Sequence, residues 1–188
     1  MTSLADVYED NVGEVEDLRP LAERIGTARR IDDAVGRYIE FAKASFPKGM
    51  RLDGLKIVCD CAHGASYKVG PSTFSELGAE VIAIGDRPNG TNINDGCGST
   101  RPEDMRATVI RERADVGIAF DGDADRIVMA DEEGRLIDGN GLLAILACDM
   151  LETKRLPKNC LATTIMANGG LLKAIEPLGG EVIWTKVG

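Results

Sequence analysis

Histidine, aromatic residues and paired cysteines are scarce in this sequence, and each shortage disfavours a kind of site or core. One histidine, one tryptophan and 4% aromatic residues occur among 188 residues, so the core has to be mainly aliphatic. The five cysteines form no pair of Cys-x-x-Cys motifs, and a closed zinc site needs four cysteine or histidine ligands. We therefore expect reduced thiols, with Cys59 and Cys61 on one face of a strand, facing the core.

Positive charge and long apolar runs are also lacking. The net charge is −9, which disfavours binding to nucleic acid or to an anionic membrane through bulk charge. No apolar stretch is long enough to span a bilayer, and the amino-terminal residues are polar and acidic, unlike a secretory signal. These features predict a cytoplasmic protein without a nucleic-acid or membrane partner, and 44% apolar residues suffice for a core.

Short apolar runs alternate with helical patterns along most of the chain. This alternation predicts an α/β fold: a mixed, mostly parallel sheet flanked by helices, followed by a partial second α/β domain. Residues 1–27 are acidic and only weakly helical. Thr100 and Glu103 have the spacing of a capping box that would begin a helix. The predicted strands cover residues 55–59, 80–84, 115–120, 126–130, 135–137, 160–165 and 181–184, and the predicted helices cover residues 32–46, a stretch ending near 77, 100–113, 141–153 and 169–175.

Three aspartates at alternate positions directly follow one of the predicted strands. Asp121, Asp123 and Asp125 come after the apolar run 116–120, and Arg126 comes next. Open α/β sheets bind ligands at the carboxyl ends of their strands. Carboxylates that converge there need a cation, and oxygen ligands suit magnesium, calcium or manganese. Arg126 can balance the charge of this loop and bind a phosphate through two hydrogen bonds.

Other interpretations of the acidic loop remain open from the residues alone. It could be a solvated turn, a divalent-metal-binding module that serves another chain, or the site of a metal-dependent phosphatase with an aspartate nucleophile. Such phosphatases usually carry threonine at the position of Asp125. An EF-hand is disfavoured, because it would need glycine in place of Arg126 and helices on both sides.

Three further features could contact a substrate. Residues 92–100, rich in glycine and small residues, could present backbone amides to a phosphate, but they lack P-loop spacing. We therefore favour a polar connector, which leaves the role of Gly96–Thr100 unassigned. For His63 we favour a structural or orienting role over acid–base chemistry. Lys186 could contact a substrate phosphate or be an ordinary surface lysine.

Residues 120–126, Phe-Asp-Gly-Asp-Ala-Asp-Arg, resemble the metal loop of the α-D-phosphohexomutase superfamily. Segments 60–65, 77–81, 92–94 and 96–100 are similar to its bacterial phosphoglucosamine mutase branch. The resemblance extends over essentially the whole chain.

The resemblance implies a fragment of a four-domain enzyme. Residues 1–28 would be the tail of domain one, 29–138 would be domain two with the metal loop, and 139–188 would be part of domain three. The phosphoserine loop would lie outside this chain, so we expect no catalytic residue within it and no activity of the chain alone. The resemblance further assigns Mg²⁺ to Asp121, Asp123 and Asp125, and phosphate or substrate contacts to Arg126 and Lys186.

The whole enzyme would interconvert glucosamine 6-phosphate and glucosamine 1-phosphate. The resemblance implies a phosphoserine donor and a glucosamine 1,6-bisphosphate intermediate, and the product is a precursor of UDP-N-acetylglucosamine. The alternatives are another phosphohexomutase, such as a phosphomannomutase or phosphoglucomutase, and the aspartate-nucleophile phosphatase. We also expect the incomplete third domain to leave aliphatic surface uncovered.

Overall fold

The computed structural model describes residues 31–187. A helix, α1 (Ala34–Ala44), precedes a five-stranded sheet whose spatial order is β2-β1-β3-β4-β5. The strands of this sheet are β1 (Lys56–Asp60), β2 (Glu80–Ile84), β3 (Val116–Phe120), β4 (Ile127–Asp131) and β5 (Leu136–Ile137), and its helices are α2 (Ser66–Glu76) and α3 (Glu103–Glu112).

The sheet is mixed, as the sequence predicted. Strand β1 pairs in parallel with β2 and with β3. Helix α2 connects β1 to β2, and helix α3 connects β2 to β3. Strand β4 returns antiparallel to β3, and the short β5 pairs antiparallel with β4. Because β1 and β3 run in the same direction side by side, Asp60 and Phe120 end their strands at the same edge of the sheet.

Aliphatic residues form the core on both faces of the sheet. One cluster includes Val58 on β1 and Met105 and Val109 on α3, all fully buried. A Cβ atom at Gly117 on β3 would lie 2.7 Å from Cγ2 of Val109. The absence of a side chain at this position therefore lets α3 pack directly on the strand. The second cluster contains the buried residues Ile57, Ala79 and Ile118, with Phe74 and Phe120 against it.

The two cysteines around Asp60 confirm the prediction that they share a buried face. Cys59 and Cys61 are both fully buried and free, and their Sγ atoms are 3.8 Å apart. The hydrogen bond with the Cys61 thiol and, after it, burial raise the pKa of Cys59. These thiols therefore act as small apolar core residues.

A second α/β segment follows the sheet. Asp138 begins its first helix by accepting a hydrogen bond from the Gly141 amide at 2.9 Å. Two parallel strands pack with two helices around Leu151 and Ile175. Large side chains stay exposed on this segment, including Ile165, Met166 and Ile183. Its elements are α4 (Gly139–Glu152), β6 (Cys160–Thr164), α5 (Gly169–Ile175) and β7 (Glu181–Thr185), with 3₁₀ turns at Pro157–Asn159 and Glu176–Leu178.

One local prediction was wrong. Helix α3 begins at Glu103, with Pro102 at the N-cap position and no capping side chain, so Thr100 does not form the predicted capping box. A turn in which the Arg101 amide donates to the Gly98 carbonyl at 3.0 Å occupies the residues before the helix. The prediction of a weakly helical segment at residues 1–27 lies outside the described residues. Between residues 31 and 187, no helix combines the length and the apolar character needed to cross a membrane.

Candidate metal and phosphate site

The three aspartates come together in the loop between β3 and β4. Each of Asp121, Asp123 and Asp125 offers an oxygen, and these oxygens all lie within 4.8 Å of one another. Asp121 is buried, with 1% of its surface exposed, whereas the other two are exposed. We call residues 121–126 the aspartate loop. Its donor set consists of carboxylate oxygens alone, so it fits a hard divalent cation such as Mg²⁺.

Arg126 binds the buried member of the trio. Its backbone amide donates to Oδ1 of Asp121 at 3.0 Å, and its Nε and Nη2 atoms contact Oδ2 at 2.8 and 2.7 Å. Yet 68% of the Arg126 side chain is exposed. The guanidinium is therefore held in place from one side while its remaining N–H groups stay available to an anion.

The pKa values of two carboxyl groups in the loop are shifted in opposite directions. Burial alone would raise the pKa of Asp121, but its hydrogen bonds and ion pair with Arg126 outweigh burial and lower that pKa. The pKa of Asp125 is raised, chiefly by the negative charge of Asp123. The aspartate loop thus holds more negative charge than Arg126 offsets, and a bound cation would relieve that repulsion.

The backbone of the loop brings alternate carboxylates to one place. Ala124 has a φ of +64°, and its amide donates to the Asp121 carbonyl at 3.1 Å. A Cβ atom at Gly122 would lie 2.6 Å from Cδ1 of Ile93 and 2.8 Å from Nδ2 of Asn94. Glycine at position 122 therefore permits the close approach of the loop at residues 92–94.

Two neighbouring segments bind the backbone on either side of Asp121. Residues 61–65, the histidine turn, contribute the Ala65 amide, which donates to the Gly122 carbonyl at 2.8 Å. Residues 96–100, the glycine loop, contribute the Ser99 amide, which donates to the Phe120 carbonyl at 2.8 Å. The glycine loop therefore uses this amide within the protein, and the polar connector stays our preferred interpretation.

His63 is held by hydrogen bonds at both its backbone and its ring. Its backbone is left-handed, with a φ of +49°, and its amide donates to the Gly85 carbonyl at 2.5 Å. The ring atom Nδ1 accepts a hydrogen bond from the Arg87 amide at 3.1 Å, so the neutral ring carries its proton on Nε2. These bonds join the histidine turn to the chain that follows β2.

In the part of the chain that the structure describes, Lys186 forms no hydrogen bond or ion pair with the charged residues of the aspartate loop. It follows β7 in the second α/β segment, and its side chain is exposed. Within residues 31–187, no hydrogen bond or ion pair joins it to Arg126 or to the three aspartates. Its proposed contact with substrate stays a prediction.

Asp60 is the residue of this site whose role the sequence did not reveal. It is fully buried at the end of β1. Its Oδ1 accepts a hydrogen bond from the Ala62 amide at 2.9 Å, and its Oδ2 accepts one from the Gly98 amide at 2.8 Å. Burial raises the pKa of this carboxyl, and the two backbone hydrogen bonds partly oppose the rise. The signals in the sequence were its place directly after the predicted strand 55–59 and its inclusion in segment 60–65, which resembles the family.

Two family descriptions match almost the whole described chain. Residues 36–134 match "Phosphoglucomutase/phosphomannomutase, alpha/beta/alpha domain II", and residues 138–188 match domain III of the same family. A solved phosphoglucomutase/phosphomannomutase family protein from Burkholderia thailandensis has the same fold. It is 21% identical with a TM-score of 0.70, and the match covers 97% of this chain and 39% of that one.

Two phosphoglucosamine mutases are more similar to this chain in sequence than the solved Burkholderia protein is. The chain is 51% identical over 180 residues to a phosphoglucosamine mutase of Anaeromyxobacter sp. (strain Fw109-5), covering 96% of this chain and 38% of the relative. It is 55% identical over 176 residues to a phosphoglucosamine mutase of Geotalea uraniireducens (strain Rf4), covering 94% and 39%. The chain thus spans about two fifths of the length of these relatives.

Proposed function

The chain belongs to the phosphoglucomutase/phosphomannomutase family, and from this premise we propose that it supplies the magnesium-binding segment of a phosphoglucosamine mutase. The observation that carries the proposal is the cluster of Asp121, Asp123 and Asp125 at the carboxyl edge of the domain II sheet. Identities of 51–55% to phosphoglucosamine mutases support the amino sugar over glucose and mannose phosphates as the substrate class.

In the whole enzyme, the phosphoryl group of a phosphoserine is transferred to the C1 hydroxyl oxygen of glucosamine 6-phosphate, whose proton is lost as the serine hydroxyl is restored. The resulting glucosamine 1,6-bisphosphate then returns its 6-phosphoryl group to the serine, which leaves glucosamine 1-phosphate with a free C6 hydroxyl. The phosphoserine belongs to a segment outside this chain. This chain contributes charge and positioning, which dominate catalysis of phosphoryl transfer.

Each charged residue of the aspartate loop has a separate part in this proposal. Asp121, Asp123 and Asp125 hold Mg²⁺, which when bound offsets the charge of the phosphoryl oxygens. Arg126, fixed by the buried Asp121 carboxylate, directs its exposed N–H groups at the transferring phosphate. Lys186 contacts a substrate phosphate from the second α/β segment.

From the family resemblance, the proposed domains are residues 1–28 as the tail of domain one, 29–138 as domain two and 139–188 as part of domain three. The last strand of the five-stranded sheet ends at Ile137, and Asp138 already caps the next helix, which supports a boundary at this point.

The aspartate-nucleophile phosphatase is a weaker explanation of the same loop. Such phosphatases usually carry threonine where this chain has Asp125. A third carboxylate at that position adds an oxygen ligand to the cluster of Asp121, Asp123 and Asp125, which favours a site built to hold a divalent cation.

A chimeric enzyme tests the proposed function. Residues 31–187 of this chain replace the corresponding segment of the Geotalea uraniireducens phosphoglucosamine mutase, and conversion of glucosamine 6-phosphate is measured against magnesium concentration. We expect turnover in the chimera. We expect Asp123→Asn to lower turnover by roughly tenfold or more at limiting magnesium, since about 1.4 kcal/mol of lost stabilisation is a tenfold loss in rate.

Asp95→Asn is the matched control, because Asp95 is an exposed aspartate in the adjacent loop and outside the trio. Its removal deletes the same charge without deleting a proposed ligand. Equal magnesium dependence of the Asp123→Asn and parent chimeras would refute the metal assignment. A chimera that converts glucose or mannose phosphates in preference to glucosamine 6-phosphate would refute the substrate assignment.

A further inference from the structure

We propose that Asp60 is a positioning residue for the aspartate loop, because its carboxylate joins the two backbone segments that bind this loop on either side of Asp121. The inference rests on the proposed function, since it gives Asp60 a role in metal binding. It concerns a residue that itself lies outside the aspartate loop.

The Asp60 carboxylate accepts a pair of hydrogen bonds from two different segments. Oδ1 accepts from Ala62 in the histidine turn, and Oδ2 accepts from Gly98 in the glycine loop. The second bond spans 38 residues of sequence. One buried side chain therefore connects the end of β1 to two segments that are far apart in sequence.

These two segments in turn bind the backbone of the aspartate loop and of the strand end before it. The Ser99 amide, next to Gly98, donates to the carbonyl of Phe120, directly before Asp121. The Ala65 amide, in the same turn as Ala62, donates to the carbonyl of Gly122, directly after it. The carbonyl groups of the two residues that flank Asp121 are thus fixed by segments that Asp60 holds.

The arrangement leaves little room for adjustment. A Cβ atom at Gly85 would lie 2.5 Å from Oδ1 of Asp60, and one at Gly98 would lie 2.5 Å from the Phe120 carbonyl oxygen. Glycine at both positions therefore allows close packing around the carboxylate and the strand end. A displacement of the glycine loop would reach the aspartate loop through this contact.

A carboxylate suits this position for a chemical reason. Two N–H donors face two side-chain oxygens, and among the described residues no lysine or arginine forms an ion pair with Asp60. Asparagine has nearly the same shape but replaces one oxygen with an amino group, which would meet an N–H donor. Asp60→Asn therefore breaks one of the two links with little change in volume.

The test is metal binding by the full 188-residue chain with Mn²⁺ as the probe. The concentration of free Mn²⁺ is measured by electron paramagnetic resonance. We expect Asp60→Asn to weaken Mn²⁺ binding roughly tenfold, at the low end of the range for residues that support metal ligands. Hydrogen exchange at the Ser99 and Ala65 amides, measured on the same variant, should become faster.

Asp131→Asn is the matched control. Asp131 also accepts two backbone hydrogen bonds, from Glu133 and Arg135, but it pairs with Val116 at the opposite end of β3. Both variants lose a carboxylate that organises backbone, so a merely structural role would affect them alike. Only Asp60→Asn should change the affinity for Mn²⁺.

The outcomes separate this inference from the proposed function. If the parent chain binds no Mn²⁺, the metal centre fails and this inference fails with it. If the parent binds and Asp60→Asn binds equally well, or Asp131→Asn weakens binding as much, the inference alone is overturned.

If Asp60→Asn does not fold, hydrogen exchange of the parent chain with and without Mg²⁺ tests the inference. Coupling is reciprocal, so Mg²⁺ should slow exchange of the Ala62 and Gly98 amides but leave the Arg135 amide unchanged. Unchanged exchange at Ala62 and Gly98 in the presence of saturating Mg²⁺ would overturn the inference.

Discussion

Two glycines in the glycine loop allow a steric contact to be measured separately from backbone strain. Gly96 has a φ of +66° and Gly98 a φ of +74°, so both have left-handed backbones. A Cβ atom at Gly96 would meet nothing within 4 Å. A Cβ atom at Gly98 would lie 2.5 Å from the Phe120 carbonyl oxygen and 2.6 Å from Cβ of Ala62.

The two alanine variants should therefore differ in stability. Left-handed backbone costs an alanine about 1 to 2 kcal/mol, and Gly96→Ala should lower the free energy of unfolding by that amount. Gly98→Ala carries the same cost, and overpacking adds about 1 to 3 kcal/mol. We expect a total loss of about 2 to 5 kcal/mol for Gly98→Ala.

Urea unfolding followed by far-ultraviolet circular dichroism measures this difference. The slope of the unfolding free energy against urea should be the same for both variants, so that the midpoints report stability. Losses that agree within about 0.5 kcal/mol would refute the reasoning, because they would mean that the glycine loop yields without cost at Gly98. That result would also weaken the case for a rigid link between this loop and Phe120.

Three further predictions concern other parts of the chain. The pKa of Asp131 is lowered chiefly by the hydrogen bond that the Arg135 side chain donates to it. The ionised Asp131 carboxylate therefore contributes stability above the ordinary pKa of aspartate, and this contribution is lost as the pH falls through the lowered pKa. Urea midpoints measured from pH 7 to pH 3 should fall more steeply for the parent than for Asp131→Asn. Asp138→Ala removes the cap of α4 and should destabilise that helix by about 1 kcal/mol, seen as faster hydrogen exchange in α4 and not in α3. The chain alone, supplied with glucosamine 6-phosphate and bisphosphate, should form no glucosamine 1-phosphate in a coupled assay, and measurable turnover would show that the phosphoserine segment is not needed.

Elements defined by local residue patterns could be predicted from the sequence. The strand before the aspartate loop was recognisable because an apolar run ends in turn residues, and Asp121, Asp123 and Asp125 are close in sequence as well as in space. The alternation of strands and helices likewise predicted the mixed sheet correctly. In these cases neighbouring residues carry the signal, so one sequence is enough.

The helix start at Glu103 shows where local reasoning failed. Thr100 and Glu103 have capping-box spacing, yet the Ser99 amide donates to the Phe120 carbonyl and the turn at Gly98–Arg101 continues to Pro102. Contacts with β3 therefore determine the backbone before the helix. A tertiary contact that satisfies a strand-end carbonyl outweighed the weaker preference for a side-chain cap.

The role of Asp60 was also missed, because it depends on a tertiary contact that local sequence patterns do not encode. Its partner Gly98 lies 38 residues further along the chain, and no pattern of spacing connects a carboxylate to a backbone amide at that distance. What brings them together is the parallel pairing of β1 with β3, which places Asp60 and Phe120 at one edge of the sheet. The acidic residues that would bind the cation are encoded locally, whereas the support that fixes them depends on the register of two strands. A substitution that shifts this register should therefore disturb the site while leaving the motif at residues 121–126 intact.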